Sequence, residues 1–336
     1  MTAPQNILVV KNRAMGDSII GLAAVQYLRE LFPNARIIYA LPCWMVPLYD
    51  KVEIAADEVM GLSLTSIGDW LRLWKTLKNK RVDLIYELFQ SGRTSKFFSL
   101  YSFLMGVQYN FHNHHKNNGG KVHDQGVIKP VIQRDLDGIF SNLTDRKHYP
   151  NYLKYPPVMK VNILAKKRKI IFGVVATRET KMWPLEYFLE LAHSIDKYLP
   201  DVCIKVPISN SSLDLVLEEK LKSLGMPANM EIVKLPLREL ANFMGESILY
   251  VGNDTGLKHL AVATGVKTIT FFGPEPPLEW HPYDKDIHHF FYIDQLECRT
   301  AVAHYCGLFR CDSMICLKNL IPKDVLKLIT RECSED

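Results

Sequence analysis

The sequence predicts an α/β protein made of two successive βα lobes, each built on a parallel sheet. Three observations carry this reading. Short unbroken apolar runs recur along the chain and have the character of strands covered on both faces. Each run leads into a segment with helical apolar spacing, so strands and helices alternate. The alternation fades between residues 110 and 169 and then resumes. A chain of 336 residues has room for about two domains of ~150 residues.

The first run is Ile7 to Val10. A turn is expected over Asn12 to Asp17, then a helix from Ser18 with Ile19, Leu22, Ala23, Val25 and Leu28 on one face, ended by Pro33-Asn34. Arg36 to Leu41 is the next strand, which completes a βαβ unit. Ile67 to Leu77 reads as a helix, Val82 to Tyr86 as a strand and Ser95 to Met105 as a helix. Asn110 to Gly120, rich in histidine and asparagine, reads as a loop, and His148 to Lys169 as the inter-domain linker. In the second series the strands are Ile170–Val175, Val202–Val206, Ile232–Val233, Ile248–Val251 and Thr268–Phe272. The helices between them are 184–198, 212–224, 237–244 and 255–264, and an amphipathic helix follows Pro322. Two such halves suggest a bilobal enzyme with a ligand cleft.

Composition narrows the function. At 48% hydrophobic and 10% aromatic the chain is globular. Its net charge of +5 is mild: it permits contact with an anionic substrate or membrane surface, and no nucleic-acid partner is expected. No run of about 18 apolar residues is present, so no transmembrane helix is expected, and the N-terminus lacks the basic and apolar regions of a signal peptide. Seven cysteines, an odd number, fit reduced thiols in a cytoplasmic protein.

Three strand-to-helix loops could carry chemistry. Gly252-Asn253-Asp254-Thr255-Gly256 opens a helix whose free N–H groups and dipole favour a phosphate, with His259 on its first turn. The structural alternative is that Asp254 caps the helix and His259 is a satisfied core histidine. In the loop Thr177 to Pro184, Lys181 could offer a point charge to a pyrophosphate, or simply be solvated. In Asn12 to Ser18, Asp17 lies at a helix start, where its anion is stabilised and its pKa lowered; it is either a cap or a general base. That loop is not GxGxxG, which disfavours a dinucleotide-dependent dehydrogenase.

Taken together, these segments resemble the ADP-heptose:lipopolysaccharide heptosyltransferases, glycosyltransferase family 9. The resemblance rests on Ile7–Lys11 with Met15-Gly16-Asp17-Ser18, on Phe89 to Lys96, on Thr177 to Pro184, and on Gly252-Asn253-Asp254-Thr255-Gly256 with His259-Leu260-Ala261 and Phe271-Phe272-Gly273-Pro274. The tail from Cys311 to Val325 is also similar. It implies a GT-B fold: two Rossmann-like lobes with parallel sheets facing across a cleft, with residues 1–160 binding the acceptor and 161–336 the nucleotide sugar. It implies an inverting, metal-independent transfer of heptose from ADP-heptose to the Kdo/heptose inner core of lipopolysaccharide, with no cofactor. Asp17 is then the catalytic base. Thr177, Lys181, Asp254, Thr255, Gly256 and His259 bind the nucleotide sugar, and Arg13, Arg93 and Lys96 bind the anionic acceptor. The location implied is cytoplasmic, with peripheral contact at the inner face of the inner membrane, to which the basic runs 78–81 and 166–169 could contribute.

The sequence departs from the family in three places. Pro207 to Asp214 lacks the glutamate that contacts the ribose. Lys258 replaces a neutral residue and could meet a sugar hydroxyl or an extra phosphate. His112, His114, His115 and His123 have no family counterpart. Cys298, Cys306, Cys311 and Cys316 include no C-x-x-C pair, so reduced thiols are expected there rather than a metal. A related enzyme using another nucleotide sugar or a protein acceptor remains open. A catalytically silent GT-B protein would not need Asp17, Lys181 and Asp254 together, and an epimerase would not need an acceptor base.

Overall fold

The computed structural model describes residues 3–112, 129–144, 148–299 and 310–334. They fall into two compact units, 1–159 and 160–336.

The first unit contains β1 (Asn6–Val10), α1 (Met15–Ile20), α2 (Leu22–Leu31), β2 (Arg36–Pro42), the two-residue β3 (Val52–Glu53), β4 (Glu58–Leu62), α3 (Ile67–Asn79), β5 (Leu84–Glu87), α4 (Gly92–Met105), β6 (Gln108–Phe111) and α5 (Val131–Phe140). Its sheet has the order β4-β2-β1-β5-β6 and every pairing is parallel. β1 is central and buried along its apolar length, which is why it reads as a continuous apolar run. Val10 pairs with Ala40 on one side and Glu87 on the other. The chain leaves β1 towards β2 and returns to its other side at β5. The carboxyl ends of β1 and β5 therefore form a topological switch point, the place where open α/β sheets bind ligands.

The second unit contains β7 (Lys160–Val161), β8 (Lys167–Gly173), α6 (Leu185–Tyr198), β9 (Cys203–Pro207), α7 (Ser212–Ser223), β10 (Met230–Val233), α8 (Leu237–Gly245), β11 (Ser247–Asn253), α9 (Gly256–Ala263), β12 (Lys267–Phe271), α10 (Pro277–Trp280), β13 (His288–Phe291), α11 (Ile315–Lys318) and α12 (Pro322–Ser334). The sheet order is β10-β9-β8-β11-β12-β13, again all parallel. Here the switch point lies between β8 and β11. These strands meet at paired glycines: a Cβ on Gly252 would stand 2.6 Å from the Gly173 carbonyl oxygen. Only glycine lets the two chain ends approach this closely.

Several expectations are corrected. Asp17 is not in a turn: α1 starts at Met15. A separate helix follows after Gly21, a position where a Cβ would lie 2.3 Å from the Tyr39 hydroxyl, which donates to Ser18 O at 2.6 Å, so only glycine fits there. The stretch read as fading contains β6 and α5; Asn110 belongs to β6, while residues 113–120 lie outside the described residues. β4 and β13 are short edge strands that periodicity missed. The supposed linker ends earlier than read, since β8 begins at Lys167. α4 starts at Gly92, so Arg93 and Lys96 are helical. The basic runs are partly tied down within the fold, while Lys78 and Arg81 stay exposed. Lys80 Nζ lies 2.6 Å from Glu58, Lys167 Nζ lies 2.7 Å from Glu246, and Lys169 is buried with its Nζ 2.8 Å from Phe243 O.

Candidate active site

In the second unit, the loops after β8 and β11 converge at the switch point. Asn253 ends β11 fully buried and clamps the other loop: its Oδ1 accepts from Trp183 N at 2.8 Å, and its Nδ2 donates to Val174 O at 2.8 Å. Trp183 anchors the loop in the core, stacked on Phe271 at 4.1 Å with its indole N–H donating to Leu320 O. With both ends fixed, the loop carries Lys181 to β11. Lys181 Nζ lies 2.9 Å from Asp254 Oδ2 and 3.8 Å from Glu275 Oε2, and Arg178 also pairs with Glu275. The second Asp254 oxygen lies 2.5 Å from Lys258 Nζ, which donates to Trp280 O at 2.6 Å.

This cluster is buried and tightly compensated. Burial by itself would raise the Asp254 pKa, but the ammonium groups of Lys181 and Lys258 hold it far below the usual carboxylate range. Burial pushes Lys258 down, to about 8, against the pull of Asp254. Lys258 thus faces inward onto Asp254 and Trp280 rather than outward onto a sugar, which corrects the expectation drawn from the sequence.

Thr255, not Asp254, is the N-cap of α9, and its side chain makes no cap bond. Thr255, Gly256 and Leu257 are half-buried and the first turn holds no acid, so the helix start keeps its amide donors and positive dipole end for an anion. His259 sits behind it, 4% exposed, its Nδ1 2.5 Å from the Tyr283 hydroxyl. Burial and then the Lys258 charge keep it neutral. Thr177 is exposed on the loop after β8.

In the first unit, Asp17 lies on the first turn of α1, just past the carboxyl end of β1. Arg13 Nε stands 4.0 Å from Asp17 Oδ2, and the guanidinium lies 4.2 Å over the Phe89 ring. The Asp17 pKa is raised, not lowered: burial outweighs the Lys11 and Arg13 charges that favour its anion. Lys11 itself is fully buried and turned to Asp135 of α5, with Nζ–Oδ2 at 2.7 Å; the other Asp135 oxygen meets His112 Nε2 at 3.0 Å. Arg93 and Lys96 stand exposed on the first two turns of α4.

Four supporting residues escaped the sequence reading. Asn253 and Glu275 organise the Lys181 loop, Asp135 holds Lys11, and Glu87 binds the Thr94 and Tyr109 hydroxyls to fix the turn into α4. Asn253 and Lys11 stand inside quoted motifs; Asp135 lies on a helix that the pattern did not reveal. Segment 207–214 spends its polar groups on structure: Ser211 caps α7, and Asp214 accepts from Ser209 N at 2.8 Å. The Cys311 thiol is lowered in pKa by the Ser313 hydroxyl and the Met314 N–H, and Cys298 is exposed; Cys306, His114, His115 and His123 lie outside the described residues. No group of metal-binding side chains was found among the described residues, and none of their helices is long and apolar enough to cross a membrane.

The profile of glycosyltransferase family 9 (heptosyltransferase) matches residues 70–306. The lipopolysaccharide core heptosyltransferase OpsX of Haemophilus influenzae is 22% identical over 84% of this chain and 83% of its own. A lipooligosaccharide heptosyltransferase 2 of Campylobacter jejuni is 21% identical over 94% of this chain and 96% of its own. Among solved structures, ADP-heptose lps heptosyltransferase II of Escherichia coli matches with a TM-score of 0.74 at 17% identity, covering 98% of this chain and 99% of that one. The E. coli heptosyltransferase WaaC with ADP matches at 0.68 and 16%, covering 98% and 100%. These likenesses establish the fold as GT-B, with a parallel sheet in each lobe.

Proposed function

The chain belongs to glycosyltransferase family 9 (heptosyltransferase), and from that premise we propose that it transfers a heptose from ADP-heptose to the Kdo/heptose inner core of lipopolysaccharide, with inversion and without a metal. Residues 1–160 take the acceptor and 161–336 the donor. The enzyme works in the cytoplasm, in peripheral contact with the inner membrane surface.

The observation that carries this is the meeting of Lys181 and Asp254 beside the uncapped start of α9. Lys181, Lys258 and Arg178 bring three cations to two carboxylates, Asp254 and Glu275. The α9 amides at Thr255 and Gly256, with Thr177 at the rim, add donors for the diphosphate. His259 supports α9 from behind. Such fixed donors stabilise the leaving ADP as its charge develops. Asp17 accepts the proton of the attacking acceptor hydroxyl; that oxygen bonds to the anomeric carbon as the bond to the diphosphate breaks. A carboxylate base of raised pKa suits this step and contributes roughly 10²–10⁴-fold. Arg13, Arg93 and Lys96 offer charge to an anionic acceptor.

The test is a thermal-shift panel of ADP, UDP and GDP, followed by transfer from ADP-heptose to a heptose-free core. A nucleotide at 100 times its Kd stabilises by about 2.7 kcal/mol. ADP is expected to give the largest shift; a preference for UDP or GDP contradicts the proposal.

A further inference from the structure

We propose that the outer face of α3 and α4 is the surface that seats the protein on an anionic lipid bilayer; this names the surface for the peripheral association proposed above and rests on that reading. The two helices lie side by side against one face of the first sheet. Trp70 meets Phe97 with ring centroids 5.3 Å apart, and Trp74 meets Tyr101 at 4.8 Å, so the pair runs in the same direction. Their inner faces are core. Their outer faces carry large apolar side chains among the polar ones, where a purely solvated helix pair would be polar throughout. Ile67 is 82% exposed and Leu71 68%, one turn apart on α3; Phe103 is 83% exposed and Leu104 58% on α4, with Leu100 one turn before them. Trp70 and Trp74, half-buried, lie between these stripes. A cluster of large apolar side chains of this kind on a protein surface marks an interaction site.

Charge selects the partner. α3 carries Arg72, Lys75 and Lys78, and α4 carries Arg93 and Lys96, all exposed. The single acid on either helix is Asp69, buried in the capping box of α3 and paired with Arg72. Exposed apolar side chains interspersed with lysine and arginine, with half-buried tryptophans between them, match the acyl-headgroup interface of an anionic membrane. The same bases oppose a second copy of the chain, because pairing the two faces would bring like charges together. Lys75 and Lys78 extend the basic character beyond Arg93 and Lys96, which the acceptor also uses.

Flotation of the full chain with vesicles tests this. Binding is expected on mixed phosphatidylglycerol and phosphatidylcholine vesicles, and to weaken at least about tenfold on pure phosphatidylcholine or at 1 M salt. The Leu71→Ser/Phe103→Ser variant, altered only at exposed positions, should keep its circular dichroism spectrum and melting temperature and bind at least about tenfold less tightly; Phe103→Ser alone should show a smaller loss in the same direction. Absence of wild-type binding, salt-independent binding, unchanged binding by the folded variants, or a wild-type dimer that these variants dissolve would each overturn the proposal. ADP affinity and transfer to a delipidated core oligosaccharide, measured in parallel, keep the two readings apart: transfer without vesicle binding removes this surface alone, and vesicle binding without ADP binding removes the proposed function alone.

Discussion

Two aspartates, each just past the end of a central strand and each near a buried lysine, have opposite electrostatic fates. Asp254 is held between two ammonium groups, Lys181 at 2.9 Å and Lys258 at 2.5 Å, and its pKa is driven far down. Asp17 has Arg13 at 4.0 Å, and Lys11, whose charge also favours its anion, is committed to Asp135 at 2.7 Å; burial wins and its pKa rises. The difference separates roles. A carboxylate clamped by two cations is a poor proton acceptor and a good anchor; one buried with little compensation is a competent base. Environments that push two carboxyl groups apart in pKa indicate which one does acid–base work.

The largest expected effect falls on Asp254. Asp254→Asn leaves Lys258 buried without its counter-ion, and breaking such a pair costs about 3–5 kcal/mol. Chemical denaturation should show that loss at pH 7. Because the folded pKa is depressed, the wild-type advantage is present above the ordinary carboxylate range and fades as pH falls below it; equal stability of the two proteins at pH 7 would show that the cluster is not the anchor described. Next comes Lys181→Ala. A charge-assisted contact with phosphate contributes about 1.5–3 kcal/mol, so calorimetry should find ADP binding weakened accordingly; an unchanged Kd would mean that Lys181 serves only its ion pairs with Asp254 and Glu275. The smallest concerns Arg13, whose side chain is 43% exposed and 4.0 Å from Asp17. Arg13→Gln removes a charge that favours the Asp17 anion, so the acid limb of kcat/KM should move upward by less than about one pH unit. A downward move would reverse the sign assigned to this pair.

Much of this was legible in the sequence where period and burial agree. β1 and β11 lie in the middle of their sheets and therefore read as unbroken apolar runs, and the residues gathered at the β8–β11 switch point, Lys181, Asp254, Thr255 and Gly256, stand inside contiguous motifs. What escaped depends on contacts distant in sequence. The Asp17 pKa follows from burial and from Asp135, 118 positions away, so the local helix-start argument gave the wrong direction. β4, β6 and β13 are short strands with half-exposed residues and lack a run long enough to show. The need for glycine at position 21 comes from Tyr39, which fills the space a Cβ would take, a constraint set by a neighbouring strand.

The most direct measurement is turnover, ADP affinity and stability of Asp17→Asn, compared side by side with wild type. The amide keeps the shape and cannot take a proton, so transfer should fall at least about 100-fold while ADP affinity holds. Since the raised pKa means that the folded state disfavours the Asp17 anion at neutral pH, the variant should melt at or above the wild-type temperature, opposite in sign to Asp254→Asn. Transfer within a few-fold of wild type would remove Asp17 from the reaction, and a marked loss of stability would make it a structural anchor like Asp254.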